Sequence, residues 1–260
     1  MRAPDTPSAA DAARLLTGRE HWETSYADAK FVAYPLANEH FDLLFAHADR
    51  GRIASALEIG SYPGPFLAAL GACGYELNGV DFHPGNAAAL PDWLRSLGHD
   101  VGSFKSVDFH DYHPGRTFDL VYSLGFIEHF EDFREVIARH ARLVSDGGYL
   151  FLTTPNFRGT IQRWLHRALD RQNLERHHLP AMDPGAWAEV MRPLGFEILF
   201  CGHFGHIAFW VDANDPRSAA QLWLARAVAR VFRAIRKVYR GDSRHFSPHC
   251  ALVARRRVPR

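Results

Sequence analysis

Between residues 53 and 153, short apolar runs alternate with amphipathic stretches, and glycines or acids punctuate the joints. The runs at 53–59, 77–80, 101–107, 118–123 and 149–153 have the length and composition of buried strands. The stretches 66–72, 87–97 and 133–144 have helical periodicity, with Val136, Ile137, His140, Ala141 and Val144 on one face of the last. Gly51, Gly60, Gly74, Gly98 and the Asp146-Gly147-Gly148 turn end these segments. Strands alternating with helices at this spacing imply a parallel sheet whose crossover helices cover both faces. With 260 residues, 47% of them hydrophobic, the chain has enough apolar surface for one large domain of this kind.

The flanks read differently. Residues 1–17 are rich in Ala, Asp, Ser and Pro and suit a flexible tail. Residues 41–48 present a helical face, and after Pro155 a helix over 158–170 leads into a polar, His-rich loop over 172–184. A further helix starts at Pro184, and strands are expected over 196–201 and 249–254. Between those strands a long helix is expected over 219–239, with Ser218 as its N-cap. The fold class is therefore α/β: a doubly wound, mostly parallel seven-stranded sheet with a helical insertion before the last strand. Cys73, Cys201 and Cys250 are widely spaced and form no CxxC pair, which disfavours a zinc site or a disulfide framework. No apolar stretch has the length of a signal peptide core or a membrane span, so a cytoplasmic protein is expected.

Three strand ends carry the chemistry. The first runs into Glu58-Ile59-Gly60-Ser61-Tyr62-Pro63-Gly64, the second into Asp81-Phe82 and the third into Asp108-Phe109. In a doubly wound sheet a ligand sits at the carboxyl ends of the strands, at the switch point. A glycine turn admits close backbone approach, and an acid about 20 residues later can accept from ribose hydroxyls. The turn lacks the glycine spacing of a nicotinamide-binding G-x-G-x-x-G loop.

These segments resemble the class I S-adenosylmethionine-dependent methyltransferases. ALEIGSYPGPFLAAL, LNGVDFHP and SVDFHDY are similar to the first three motifs of that family, and FDLVYSLGFIEHFED to its fourth-strand segment in the small-molecule, ubiquinone-pathway-like branch. DGGYLFLTTPNF is similar to the fifth strand, and GFEILFCGHFG with SPHCALVARR to the closing antiparallel hairpin. The resemblance implies a single methyltransferase domain over 18–260. Within it, 18–50 would cap, 51–155 bind cofactor, 156–192 cover the acceptor and 212–245 form the basic insertion. It implies that Gly60, Ser61 and Gly64 line the methionine part of S-adenosylmethionine, with S-adenosylhomocysteine as product. Asp81 would hold the ribose hydroxyls, Phe82 would flank the adenine, and Asp108 would accept from its amino group, with the Phe109 backbone beside it. Ser123, Leu124 and Gly125 would run beneath the sulfonium, and Glu58 would order the turn. Tyr62 stands where the family places a glycine. Pro63 is read as fixing a turn that carries the ring away; a ring left over the turn would give a non-catalytic binding module instead.

Methyl transfer is an in-line displacement, and an oxygen acceptor also needs a base. The candidates are Glu128, His129 and His178, with His177, His203 and His206 behind them. His177 and His178 are adjacent, so only one of an extended pair would face a site. Some ubiquinone-pathway relatives hold a divalent metal at such a Glu-His pair; with only Glu128 and His129 matching, no metal is expected. Trp22, Tyr26 and Tyr34 lie in the segment that caps the cofactor in relatives. No Asn/Asp-Pro-Pro-aromatic tetrad follows the fourth strand, and no basic-aromatic interleaving appears in the core, so neither base methylation nor nucleic-acid binding is expected. A small-molecule hydroxyl, on a secondary metabolite or a saccharide, is the expected acceptor.

The net charge of +1 hides an asymmetry. Residues 1–216 hold eighteen basic and twenty-eight acidic residues, whereas 217–260 hold twelve basic residues and one acid, Asp242. In the expected long helix, Leu224, Val228, Val231, Phe232, Ile235 and Val238 form an apolar stripe, and Arg226, Arg230, Arg233, Lys237 and Arg240 a basic one. Packing of the apolar stripe on the sheet or on a second subunit as a homodimer is the plain expectation. Contact of 217–240 with an anionic membrane, where the acceptor would be lipid-linked, or with an acidic partner is the alternative.

Overall fold

The structure, a computed structural model, describes residues 16–26 and 29–258. Its central strand, β1 (Ser55–Ile59), is buried along its whole length, as an inner strand of a parallel sheet must be. β2 (Glu76–Asp81), β3 (Val101–Ser106), β4 (Phe118–Leu124) and β5 (Val144–Pro155) follow in parallel. β6 (Phe196–Phe204) and β7 (His249–Arg256) close the sheet, and β7 runs antiparallel to both β5 and β6. The order across the sheet is β3-β2-β1-β4-β5-β7-β6. This is the expected doubly wound architecture with its antiparallel last strand.

The pleat of each strand divides the core in two. On one face Ala56, Leu77, Leu120 and Tyr122 meet Phe41 and Leu44 of α2 (Glu39–His47), Leu67 and Leu70 of α3 (Pro65–Gly71), and Leu94 of α5 (Leu90–Ser96). On the other, Leu57, Ile59 and Val121 meet Val136 and Ile137 of α6 (Phe133–Arg142) and Trp187 and Met191 of α9 (Pro184–Met191). Trp187 is fully buried, and its indole N–H donates to Ala181 O at 2.6 Å.

Several boundaries differ from the sequence reading. The helix expected over 87–97 is two pieces, α4 (Gly85–Ala88) and α5, because Pro91 has no N–H to continue the ladder across Ala89. Asp146-Gly147-Gly148 does not precede β5 but lies inside it, as an irregularity between the Phe118↔Val144 and Leu120↔Tyr149 pairs. The loop expected over 172–184 contains α8 (Arg171–Glu175), which follows α7 (Thr160–Leu169).

The long helix is α10 (Ala219–Arg236), capped by Ser218 with a reciprocal Gln221 bond. Its apolar stripe does not pack on the sheet. Of the stripe, Val228 and Phe232 are half-buried, and with the buried Ala225 they pack against Leu165, Leu169 and Phe209. Of the expected tail, residues 1–15 lie outside the described residues. Leu16 N–H donates to His129 O at 2.8 Å, and Thr17 is buried.

Truncation of Trp187 tests the second core. Trp187→Ala removes a fully buried indole and orphans a carbonyl, and should lower unfolding stability by about 3–5 kcal/mol in urea titration.

Candidate functional site

β1 and β4 are neighbours, but the chain leaves them in opposite directions, toward β2 and toward β5. Their carboxyl ends therefore border a crevice that no crossover covers. The turn after β1 enters it with Gly60 at φ +75° and Gly64 at φ +80°. Neither position tolerates a side chain: a β-carbon on Gly60 would lie 2.8 Å from the Phe126 ring, and one on Gly64 2.5 Å from Leu90. Gly60 and Ser61 N–H groups donate to Val80 O, at 2.9 and 3.3 Å, and so hold the turn against the end of β2.

Asp81 faces this turn. Its carboxylate accepts from Tyr62 N–H at 3.2 Å and His83 N–H at 2.8 Å. Burial raises it to about 6, although the two backbone donors pull the other way. The Tyr62 ring stacks on His83, with centroids 4.0 Å apart, and meets Tyr26 and Phe31 edge-on. It thus lies toward the β2–α4 loop, whereas Phe126 stands over Gly60. Phe126 was not singled out by any sequence signal; a lone aromatic after a strand has none.

The remaining strand-end residues split into those that reach the crevice and those that support it. Glu58 is buried and accepts from Tyr122 Oη at 3.0 Å across the β1–β4 pair; burial holds its carboxyl well above the usual range. Ser61 Oγ donates to Asn86 Oδ1 at 2.7 Å, and Ser123 Oγ meets His140 Nε2 at 3.1 Å, so both serine side chains are turned inward. With these side chains engaged, Ser61 and Ser123 present their backbones to the crevice. Asp108 Oδ1 accepts from His110 N–H at 2.9 Å at the end of β3, with Phe109 buried beside Phe126. Phe82 and Leu124 are half-buried, and Gly125 turns at φ +74° with its N–H on Thr153 O.

Past β4 the chain makes a short helical turn, Ile127–His129, that buries Glu128 and His129. His177, beyond α8, joins them: one donor atom from each of Glu128, His129 and His177 lies within 4.8 Å of the others. Both carboxylate oxygens of Glu128 are buried without a hydrogen-bond partner, and burial raises the group to about 8. Burial also holds His129 well below the usual imidazole range and His177 at about 4, so both rings are neutral at pH 7.

The tautomers follow from the partners. His177 Nδ1 faces Asn173 O at 2.5 Å, an acceptor, and must carry the proton. Thr17 Oγ1 donates to Arg176 O at 3.1 Å, so it accepts from His129 Nδ1 at 2.9 Å. Each ring is left with its lone pair on Nε2. Thr17, assigned to a tail by composition, is the residue that sets His129.

The adjacent histidines separate as the extended-pair argument requires, but in the opposite sense to the choice of His178. The His178 ring lies 6.0 Å from Phe133, and the His178 backbone N–H donates to Glu128 O. His177 takes its place, and as a third donor it removes the ground for expecting no metal. His203 lies along β6, and His206 N–H donates to Asp242; neither belongs to the cluster. The first helix among the described residues, α1 (Arg19–Tyr26), spans both halves of the crevice. Trp22 meets the His129 ring edge-on at 5.0 Å, while Tyr26 lies over Tyr62 and His83. Tyr34 instead packs on Phe66.

A family model described as a methyltransferase domain matches residues 30–199. The chain belongs to this family, the class I S-adenosylmethionine-dependent methyltransferases. The ubiquinone biosynthesis O-methyltransferase of Thiobacillus denitrificans is 32% identical over 103 residues, which cover 38% of this chain and 44% of that relative. An S-adenosylmethionine-dependent methyltransferase structure from Mesorhizobium loti has a TM-score of 0.53 at 17% identity, over 85% of this chain and 99% of that one. The N-methyltransferase NodS from Bradyrhizobium japonicum has a TM-score of 0.50 at 15% identity, over 84% of this chain and 94% of that one. These two structures share the fold. Among the described residues no helix is long and apolar enough to cross a membrane.

Glu128 makes stability depend on pH. Its usual value is 4.5 and the folded value is about 8, so the folded state binds the extra proton between them. This contribution is complete below the lower value and is lost as pH rises to the upper one. In chelator-treated protein, Glu128→Gln should become progressively more stable than wild type from about pH 5 to about pH 8 in urea midpoints.

Proposed function

We propose that this chain moves the methyl group of S-adenosylmethionine to a hydroxyl oxygen of a small molecule. The observation that carries this reading is the pairing of two neutral imidazole lone pairs with a buried carboxyl at the same strand ends as the Gly60 turn and Asp81. The backbone from Gly60 to Gly64 takes the methionine end, where close approach is open to glycine alone. Asp81 accepts from the ribose hydroxyls, Phe82 flanks the adenine, and Asp108 accepts from its amino group, with the Phe109 backbone beside it. Backbone at Ser123 to Gly125 passes beneath the sulfonium.

In the transfer the carbon–sulfur bond breaks as the carbon–oxygen bond forms, and the sulfur leaves as a neutral thioether. The hydroxyl proton goes to Nε2 of His129 or His177. A base kept neutral at pH 7 is ready to accept it. Thr17 and Asn173 O hold the rings in the receptive tautomer, and Trp22 and Tyr26 close the crevice against water. The oxygen acceptor is favoured by this base pair and by the partial similarity to an O-methyltransferase.

The same three groups fit a divalent cation. Two imidazole nitrogens and a carboxylate are a common ligand set, and both buried carboxyl oxygens of Glu128 lack a hydrogen-bond partner. Glu128, His129 and His177 would hold the ion, which would lower the pKa of an acceptor hydroxyl. The side chains would then orient the acceptor oxygen beside the sulfonium rather than take its proton alone.

Titration calorimetry with S-adenosylhomocysteine tests the proposal. Wild type should bind at about micromolar Kd, and Asp81→Ala should lose roughly tenfold or more. Absence of wild-type binding would overturn it. Because Asp81 titrates at about 6, affinity should fall as pH drops through that value, when the carboxylate becomes a neutral acid and stops accepting from both hydroxyls. Asp81→Asn should flatten this profile. His129→Ala and His177→Ala should keep the product affinity.

A further inference from the structure

The helix α10 leaves most of its apolar surface uncovered. Leu224, Val231 and Ile235 fall seven and four residues apart, which places them on one side of the helix, and Val238 follows in the turn just past its end. Val231 is 56% exposed and Val238 is 89% exposed, and Leu224 and Ile235 are also open. The covered side, Ala225, Val228 and Phe232, is a different arc. Trp223 stands next to the open arc at 70% exposure. Scattered apolar residues on a surface need no partner, but a continuous stripe with a tryptophan at its border does.

The third arc is cationic. Arg226, Arg230, Arg233, Lys237 and Arg240 are all exposed, and no acid occurs from Arg217 to Arg240. None of these five has a salt bridge among the described residues, whereas Arg236, on the inner side, pairs with Glu39 at 2.9 Å. The packed partner α7 adds exposed Arg163, Arg167 and Ile161, with Trp164 at 69% exposure. An open apolar arc flanked by an unpaired cationic arc matches the interface of an anionic bilayer, with acyl boundary for one and headgroups for the other. Tryptophan is the side chain best suited to that boundary. A nucleic acid would satisfy the cations but leave the apolar arc in water.

We propose that α10 docks this protein on an anionic lipid surface, lying in the plane of the headgroups. The helix is firmly tied to the site side of the molecule. Arg217 pairs with Asp170 and donates to Leu169 O, and Arg176 pairs with Asp212 and Asp215, each at 2.6 Å. The segment that leads into α10 is thereby clamped to the segment that carries His177, so docking seats the acceptor side of the crevice beside the bilayer.

Co-sedimentation of the full chain with vesicles tests this. Wild type should pellet with phosphatidylglycerol–phosphatidylcholine vesicles at low salt, stay in solution with phosphatidylcholine alone, and be released by salt. Val231→Ser with Val238→Ser, and separately Arg230→Glu with Arg233→Glu, should each weaken partitioning by about tenfold or more. Both pairs are exposed, so thermal midpoints and S-adenosylhomocysteine affinity should match wild type. Failure of wild type to pellet, or undiminished pelleting of either double variant, overturns the proposal. A dimer in sedimentation velocity that Val231→Ser with Val238→Ser dissociates would assign the face to a second copy and overturn it as well.

Discussion

The departure of the chain from β1 and β4 toward opposite edges of the sheet is the constraint on which the rest of this molecule depends. A parallel strand must be followed by a crossover, and a right-handed crossover commits its helix to one face. The β1-to-β2 path puts α3 on one side, and the β4-to-β5 path puts α6 on the other. At the junction neither path covers the strand ends. Backbone donors, a glycine turn and the acid at the end of β2 are therefore left facing one space. Glu58 and Tyr122 bind across that junction, and their bond is buried because the two strands pair there.

Burial then does the electrostatic work. Asp81, Glu128, His129 and His177 all depart from their ordinary values chiefly through desolvation. Desolvation favours the neutral form of acid and base alike. The result is a site whose carboxyl keeps a proton and whose imidazoles lack one. Hydrogen bonds outside the cluster select which nitrogen is receptive. Those bonds come from places far apart in sequence: Thr17 just before α1, and Asn173 O in α8.

The surface follows a separate logic. The body is acidic and the C-terminal insertion basic, yet among the described residues only two arginines of that region, Arg217 and Arg236, make side-chain ion pairs with the body outside β7. The cations left in solvent share a helix with apolar residues that the core had no room to cover. Packing α10 by its narrow Ala225–Phe232 seam, with Arg236 paired to Glu39, makes the helix a part of the protein and at the same time leaves two of its arcs outward.

Periodicity and turn chemistry made the alternation of strands and helices legible, together with Gly60, Gly64, Asp81 and Asp108, because each follows from local rules of chain geometry. The Ser218 cap and the basic stripe were legible for the same reason. The break in 87–97 is also local, since Pro91 stands inside that window, whereas the irregularity at 146–148 depends on strand pairing that a window of sequence does not contain. Three things were decided only by tertiary structure. Serine side chains at 61 and 123 turned inward to Asn86 and His140. His177 rather than His178 met Glu128 and His129. The apolar stripe of α10 stayed mostly in the open. Each turns on which partner waits across a gap of many residues, and side-chain direction and desolvation exist only once the chain has closed on itself.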